Sequence, residues 1–383
     1  MKSTLVSGRN LRRGVVPVVA ALALALTACG DDSDSANTSA SGGGGSGGDV
    51  SGLSGTLNGG GSSAQQSAQA AWTAGFQGQA SGVTVNYDPV GSGTGRTNFL
   101  SKAYHFAGSD SALSDDDSAG PSEVDQAKER CGGEAAIEVP VYVSPIAVVF
   151  NVSGVDSLDL DPATLAHIFQ GDITTWNDPA IASLNDGVDL PDTAITPVHR
   201  SDDSGTTANF TDYLSKTSDG AWTAAPDDTW PTSTGEKAQG TSGVVSAVKG
   251  GDGTIGYADF SQTAGMSTVA IKVGDSFNQP SAEGAADVLA GSPPPEGRDP
   301  VDMAISVDRT IDDANAYPLL LASYEIACQH YDDANTAALV KGYLSYMVSD
   351  EGQQAAAAQA GSAPLDSELA ARAQDIVSKI SGS

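Results

Sequence analysis

His199-Arg200-Ser201-Asp202-Asp203-Ser204-Gly205-Thr206-Thr207 lies between a β-like run, Ala194-Ile195-Thr196-Pro197-Val198, and a helix-like run, Ala208-Asn209-Phe210-Thr211-Asp212-Tyr213-Leu214. The order predicts a strand that ends, a hydroxyl-rich loop with one glycine, and a helix that begins. A helix start presents unpaired N–H groups and a partial positive charge, which suits an oxyanion. Ser204 and Thr206 add hydroxyl donors, and Arg200 adds a charged planar fork. The stretch reads as one wall of an anion site.

Two upstream segments repeat the arrangement. Gly55-Thr56-Leu57-Asn58 reads as a strand and Gly59-Gly60-Gly61-Ser62-Ser63 as a loop. From Ala64 the spacing of Ala68, Ala71, Trp72, Gly75 and Phe76 predicts a helix. Val83 to Tyr87 alternates like a strand, Gly91-Ser92-Gly93-Thr94-Gly95 is its loop, and Arg96 to Tyr104 is its helix. Phe106-Ala107-Gly108-Ser109-Asp110 is a short apolar run ending in a carboxylate. Three such units argue for an α/β protein whose helix N-termini gather at strand carboxyl ends, the edge where open α/β sheets bind ligands.

Farther on, Glu138–Val143 and Ala147–Asn151 read as two strands. Asp161 caps a helix that runs to Gln170, with Pro162 at its first position and Leu165, Ile168 and Phe169 facing inward. A helix over Val244–Lys249, a strand over Gly253–Tyr257, a strand-like run over Leu319–Ala327 and helices over Asn335–Val348 and Glu351–Ala360 complete the expectation.

The N-terminus carries an address. Lys2, Arg9, Arg12 and Arg13 precede an apolar run from Val15 to Leu26, and Leu26-Thr27-Ala28-Cys29 follows. The run is shorter than the roughly 20 residues a bilayer span needs. Residues 1–28 read as a signal peptide. Leu at −3, Ala at −1 and Cys at +1 resemble the bacterial lipobox, which makes Cys29 the lipidated mature N-terminus. An ordinary signal peptide with a chance cysteine is the alternative, and Arg12-Arg13 hints at twin-arginine export. Residues 29–52, rich in Gly, Ser and Asp, form a flexible tether.

The remaining cysteines, Cys131 and Cys328, are an even pair in an exported chain and suggest one disulfide, with two buried thiols as the alternative. With 383 residues, the chain is too long for one typical core. A formal net charge of −30 makes nucleic acid and anionic membrane surfaces poor partners. The charge does not exclude a bound anion, because fixed local dipoles outweigh distant screened charges.

His105, His167, His199 and His330 lack metal-ligand spacing. The glycines of 91–95 do not form a dinucleotide fingerprint, no Gly-x-Ser-x-Gly elbow stands between a strand signal and a helix signal, and no Lys-bearing P-loop is present. No metal, cofactor or catalytic residue is therefore assigned.

Taken together, Arg200-Ser201-Asp202-Asp203-Ser204-Gly205-Thr206, Gly59-Gly60-Gly61-Ser62-Ser63, Val90-Gly91-Ser92-Gly93 and Ala107-Gly108-Ser109-Asp110 resemble the phosphate-binding protein of bacterial phosphate-specific ABC importers. Gly253-Thr254-Ile255-Gly256-Tyr257 and Ala316-Tyr317-Pro318 extend the resemblance, in order, from about Leu53 to near the C-terminus. It implies a type II periplasmic-binding-protein clamshell, α/β throughout. Each lobe is then a mixed sheet flanked by helices, and a two-strand hinge joins them. The lobes would be 53–140 with 273–383, and 141–272, with crossings near Pro140 and Val273.

The resemblance also implies roles. Ser63, Ala64 through its N–H, Ser92, Arg200, Ser204, Gly205 and Thr206 would hold phosphate. Asp202 would orient Arg200, and Asp110 would be the acceptor carboxylate. Ser62 competes with Ser63 for its role, since the family often has Thr there, and Thr94 is a possible extra contact because the second loop departs from Ser-Ser-Gly-Gly. The expected function is capture of inorganic phosphate outside the cell by a lipid-anchored monomer on the outer face of the cytoplasmic membrane, and delivery to permease subunits. A receptor for sulfate, molybdate or a small carboxylate is the main alternative. A serine-nucleophile phosphatase and a surface sensor or adhesin without transport are the others.

Overall fold

The computed structural model describes residues 50–383. The expected signal peptide, the expected lipidation site Cys29 and nearly all of the expected tether lie outside the described residues. The chain opens with βα steps: β1 (Ser54–Gly61), α1 (Gln66–Gln79), β2 (Gly82–Asp88), α2 (Ser92–Leu100), β3 (Phe106–Ser109) and α3 (Glu123–Arg130). β1 pairs in parallel with both β2 and β3. The 15-residue β4 (Ile137–Asn151) follows, then β5 (Leu158–Leu160), α4 (Pro162–Gln170) and the single turn α5 (Pro179–Ala182). β6 (Thr196–Arg200) feeds α6 (Gly205–Thr217), and β7 (Glu236–Ala238) feeds α7 (Gly240–Gly250). β8 (Thr254–Asp259), β9 (Ser267–Val273), β10 (Ser276–Asn278) and α8 (Ala282–Ala290) come next. β11 (Leu320–Ala327) and helices α9 (Ala334–Met347), α10 (Asp350–Ala360) and α11 (Ser367–Ser378) close the chain.

The strands join in the order β2-β1-β3-β11-β4-β8-β6-β7. β4 belongs to both halves of this curled sheet. It pairs antiparallel with β11 from Ile137 to Pro145 and with β8 from Ile146 to Asn151. The result is a two-lobed mixed α/β architecture. In each half the carboxyl ends of parallel strands lead into helix N-termini, as the repeated strand-loop-helix units imply.

Two local expectations are corrected. β4 is one strand, not two. Its two prolines sit where the ladder needs no N–H from them or tolerates a disturbance. Pro145 falls where the partner changes, and Ile146 N–H donates to Leu319 O at 2.9 Å. Pro140 falls at a bulge, where Val141 is an extra residue opposite Ser323 and Tyr324. The second correction concerns α2, which starts at Ser92 rather than Arg96 and ends at Leu100. Gly91 precedes it with φ 100°, and Gly95 lies inside it. A Cβ on Gly95 would come within 2.5 Å of Gly61 Cα, so this glycine serves close packing against β1 rather than a loop.

The core follows the halves. Trp72, Phe76, Phe106 and Tyr343 are fully buried in the first. In the second, Phe169, Phe210, Trp230 and Tyr257 pack ring on ring, with Phe210 and Tyr257 4.3 Å apart at 12°. This aromatic block supports the first turn of α6. α4 forms as its sequence prescribes: Asp161 accepts Thr164 N–H at 2.7 Å, and Gly171 ends the helix in left-handed conformation.

Cys131 and Cys328 form a disulfide across 197 residues, with Cα atoms 5.3 Å apart. It ties the end of α3 to the end of β11. By loop-closure entropy, replacing both cysteines by alanine should lower the unfolding free energy by about 2–5 kcal/mol. Guanidinium denaturation of both proteins measures this, and an unchanged midpoint would show that the tie carries no stability.

Candidate functional site

Arg200 ends β6 and is buried. Its Nε donates to Asp202 Oδ1 at 2.8 Å and its Nη2 to Oδ2 at 2.5 Å, a bidentate pair. The Gly240 N–H, at the start of α7, donates to Asp202 Oδ1 at 3.0 Å. Burial works to raise the Asp202 carboxyl. The bond and charge of Arg200, with the backbone N–H groups, outweigh it and hold the group below the usual carboxylate range. Asp202 therefore stays ionised and fixes the guanidinium. A Cβ on Gly91 would reach 2.5 Å from Asp202 Oδ2, so the positive-φ glycine before α2 also makes room for this pair.

Ser204 caps α6 by accepting Thr207 N–H at 3.2 Å. Its own hydroxyl proton remains for another acceptor, and the first-turn N–H groups of Gly205 and Thr206 have no intrahelical partner. Thr207 Oγ1 lies 2.7 Å from the Tyr257 hydroxyl, which also accepts Arg200 N–H at 3.3 Å. Burial pushes that phenol up to about 12, against the opposing pull of Thr207 and Arg200, so it stays neutral.

Asp110, just past β3, is 3% exposed. Ser62 Oγ and Ser323 Oγ each donate to its Oδ1 at 2.6 Å, and Thr206 Oγ1 donates to its Oδ2 at 3.0 Å. Its backbone N–H donates to Ser92 Oγ at 3.1 Å. Asn209 Nδ2 donates to both Asp110 O and Gly205 O, at 2.7 and 2.8 Å. Ser63 Oγ accepts Thr241 N–H at 3.0 Å and shares a hydrogen bond with Thr241 Oγ1 at 3.0 Å. The Ala64 N–H donates to Ser62 Oγ at 3.1 Å. Thr94 is exposed on α2.

The structure thus brings Ser63, Ser92, Asp110, Arg200, Asp202, Ser204, Gly205 and Thr206 into one buried constellation drawn from both sheet halves. Ala64 lies beside it with its N–H turned to Ser62. Four participants were absent from the sequence reading: Ser323, Thr241, Asn209 and Asp228. Ser323 left a signal, being a polar residue inside the apolar run Leu319–Ala327. Among the described residues, no group of three or more His, Cys, Asp or Glu side chains is arranged to hold a metal ion. Chemically, the constellation offers one fixed cation, unused donors and one acceptor carboxylate in a dry interior. That set suits a tetrahedral anion carrying a proton.

Asp228, between α6 and β7, links the halves behind the site. Its O accepts Ser204 N–H at 2.9 Å. Its carboxylate accepts from Arg96 Nη2 at 2.5 Å and Ser111 Oγ at 2.7 Å. Arg96, on α2, also donates to both oxygens of Glu123 and to Ser109 Oγ. Asp228→Asn keeps the backbone contact and removes the charge. A charge-assisted bond is worth about 1.5–3 kcal/mol, so the variant should bind its anion about 10–100-fold more weakly, with a faster off-rate. Stopped-flow release measures this, and an unaltered off-rate would show that the Asp228 contacts do not retain the anion.

A family model described as a PBP superfamily domain matches residues 43–351. The chain is 37% identical over 381 residues to phosphate-binding protein PstS2 of Mycobacterium bovis (strain BCG / Pasteur 1173P2), covering 96% of this chain and 98% of that one. It is 36% identical over 329 residues to phosphate-binding protein PstS 3 of Mycobacterium leprae (strain TN), covering 85% and 87%. Among solved structures, a high-affinity periplasmic phosphate-binding protein, PfluDING, bound with phosphate, superposes with a TM-score of 0.67 at 23% identity. The match covers 84% of this chain and 93% of that one, and at this identity it bears on the fold alone.

Proposed function

The chain belongs to the PstS phosphate-binding proteins of the PBP superfamily, and on that premise we propose that it binds inorganic phosphate and hands it to the permease of an ABC importer. One observation carries the reading for this chain: a buried carboxylate, Asp110, faces the donors of the Arg200–Thr206 loop. At neutral pH phosphate keeps at least one proton and can donate to Asp110. Sulfate has none and would set a second unpaired anion against the carboxylate. Leaving such groups unpaired yields discrimination of about 10⁴–10⁵. The donors from the other half are Arg200, Ser204 and the N–H groups of Gly205 and Thr206, with Ser92 beside Asp110, and Ser63 and Ala64 ahead of α1, completing the wall.

Binding is proposed to close lobe 53–140/273–383 onto lobe 141–272 by bending where β4 changes partner. The protein acts as a monomer outside the cytoplasm, held to the membrane through lipidated Cys29, and catalyses no reaction. Calorimetric titration with phosphate, sulfate and molybdate tests the reading. Phosphate should bind and the others should not, whereas a preference for another oxyanion, or turnover of a phosphate ester in a parallel assay, would overturn it.

A further inference from the structure

Asp110 selects phosphate only as an acceptor, and its surroundings oppose ionisation. Burial raises its carboxyl, against the hydrogen bonds of Ser323, Ser62 and Thr206 and the charge of Arg200, and the net direction is upward. A protonated Asp110 would donate instead, and would accommodate a fully ionised anion. The two short bonds on Oδ1 work against that, because hydrogen bonds to the charged form favour it. They also occupy Oδ1, which leaves acceptor capacity on Oδ2, on the Thr206 side.

Ser323 is built for this task. It lies within β11, fully buried, opposite the Val141 bulge of β4. Bulges beside functional sites re-aim side chains. Gln65 Nε2 donates to Ser323 Oγ at 2.7 Å and to Tyr324 O at 3.2 Å. The Ser323 hydroxyl, having accepted from Gln65, directs its own proton to Asp110 at 2.6 Å rather than to the more distant Ser109 O at 3.3 Å.

We propose that Ser323, held by Gln65 and acting with Ser62, is a specificity-determining positioning residue that keeps Asp110 ionised and turns its Oδ2 toward the anion's proton. This rests on the phosphate reading above. Three other titratable or charged groups bear on Asp110. Arg200, ending β6, favours its ionised form. Asp259, ending β8, is pushed up to about 7 by burial, against its Ser261, Ser144 and Tyr142 hydroxyls and with the Asp110 charge adding to the rise. Tyr87, on β2, is raised far above its ordinary value by burial first and then by Glu325 and Asp110, so it stays neutral.

The sign follows. Because the binding form is the ionised one and its folded pKa is raised, phosphate binding is complete above that pKa and is lost as pH falls through it. Removing one hydroxyl from the charged form moves the loss to higher pH. The test is calorimetric titration of phosphate and of sulfate from mildly acidic to mildly alkaline pH. It compares the unaltered protein with Ser323→Ala, Ser323→Thr, Ser62→Ala and Asp259→Asn. Ser323→Ala should shift the phosphate midpoint upward and admit sulfate below it, Ser323→Thr should restore both, and Asp259→Asn, which removes a like charge, should keep a midpoint at the same or a lower pH.

A loss of affinity equal at every pH, with the midpoint unmoved, would make Ser323 merely structural and overturn the proposal. So would a midpoint that disappears in Asp259→Asn. If Ser323→Ala does not fold, Ser62→Ala reads the same shift. An unaltered protein that binds no phosphate at any pH would instead overturn the phosphate reading itself, and the proposal with it.

Discussion

Asp110→Asn is expected to abolish most of the preference for phosphate over sulfate while leaving the fold intact. Asparagine matches aspartate in shape, so Ser62 and Ser323 keep an oxygen to donate to, while Thr206, which donates to Oδ2, turns its hydroxyl to accept from the new amide. The other side changes from acceptor to donor. Sulfate then meets an N–H where it met a carboxylate, and the repulsive element is gone. A ratio of about 10⁴–10⁵ should fall to about 10 or less. Calorimetry with both anions at neutral pH measures the ratio, and retained selectivity would mean that Asp110 does not choose the anion. A melting temperature close to that of the unaltered protein confirms that the fold is intact.

Arg200→Ala should cost phosphate affinity about 100-fold or more. A charge-assisted bond contributes about 1.5–3 kcal/mol, and the guanidinium also supplies the one fixed cation of the constellation. The substitution has a second consequence. It strands Asp202, half-buried against Gly91 and Gly240, and should lower stability, by less than the roughly 3–5 kcal/mol that an uncompensated fully buried charge costs. The two effects separate in the double variant Arg200→Met/Asp202→Asn, which removes both charges. Stability should largely return there and binding should not. Full recovery of binding in the double variant would show that Arg200 serves the fold alone. Arg200→Lys keeps the charge but not the fork, so it should recover only part of the affinity.

The contrast between what the residues disclosed and what they hid has physical causes. α4 was legible in full because cap, first-position proline and inward face all pointed one way, and Asp161, Leu165, Ile168 and Phe169 took those places. The Arg200–Thr206 loop was legible because a strand end, an N-cap serine and a helix start lie next to one another in sequence. α2 was misjudged at its start because Gly93 and Gly95 look like loop formers. Their reason is tertiary: Gly95 lies against Gly61, and a Cβ on Gly93 would come within 2.5 Å of Asp203 Cβ. Ser323 stood out as a polar residue in an apolar run, but its role did not, because the bulge opposite it lies on β4, far away in sequence. Asp228 lies in an aperiodic segment after α6, where no pattern announces a contact with Arg96, 132 residues away. Local chemistry was read from the sequence, whereas contacts joining the two halves needed coordinates.

The most direct test is a crystal structure of the protein saturated with phosphate. The anion is expected between the sheet halves, about 2.5–3.0 Å from Asp110 Oδ2, Arg200 Nη1, Ser92 Oγ and the N–H groups of Gly205 and Thr206. Phosphate bound elsewhere, or seated with Asp110 out of hydrogen-bond reach, would contradict the account.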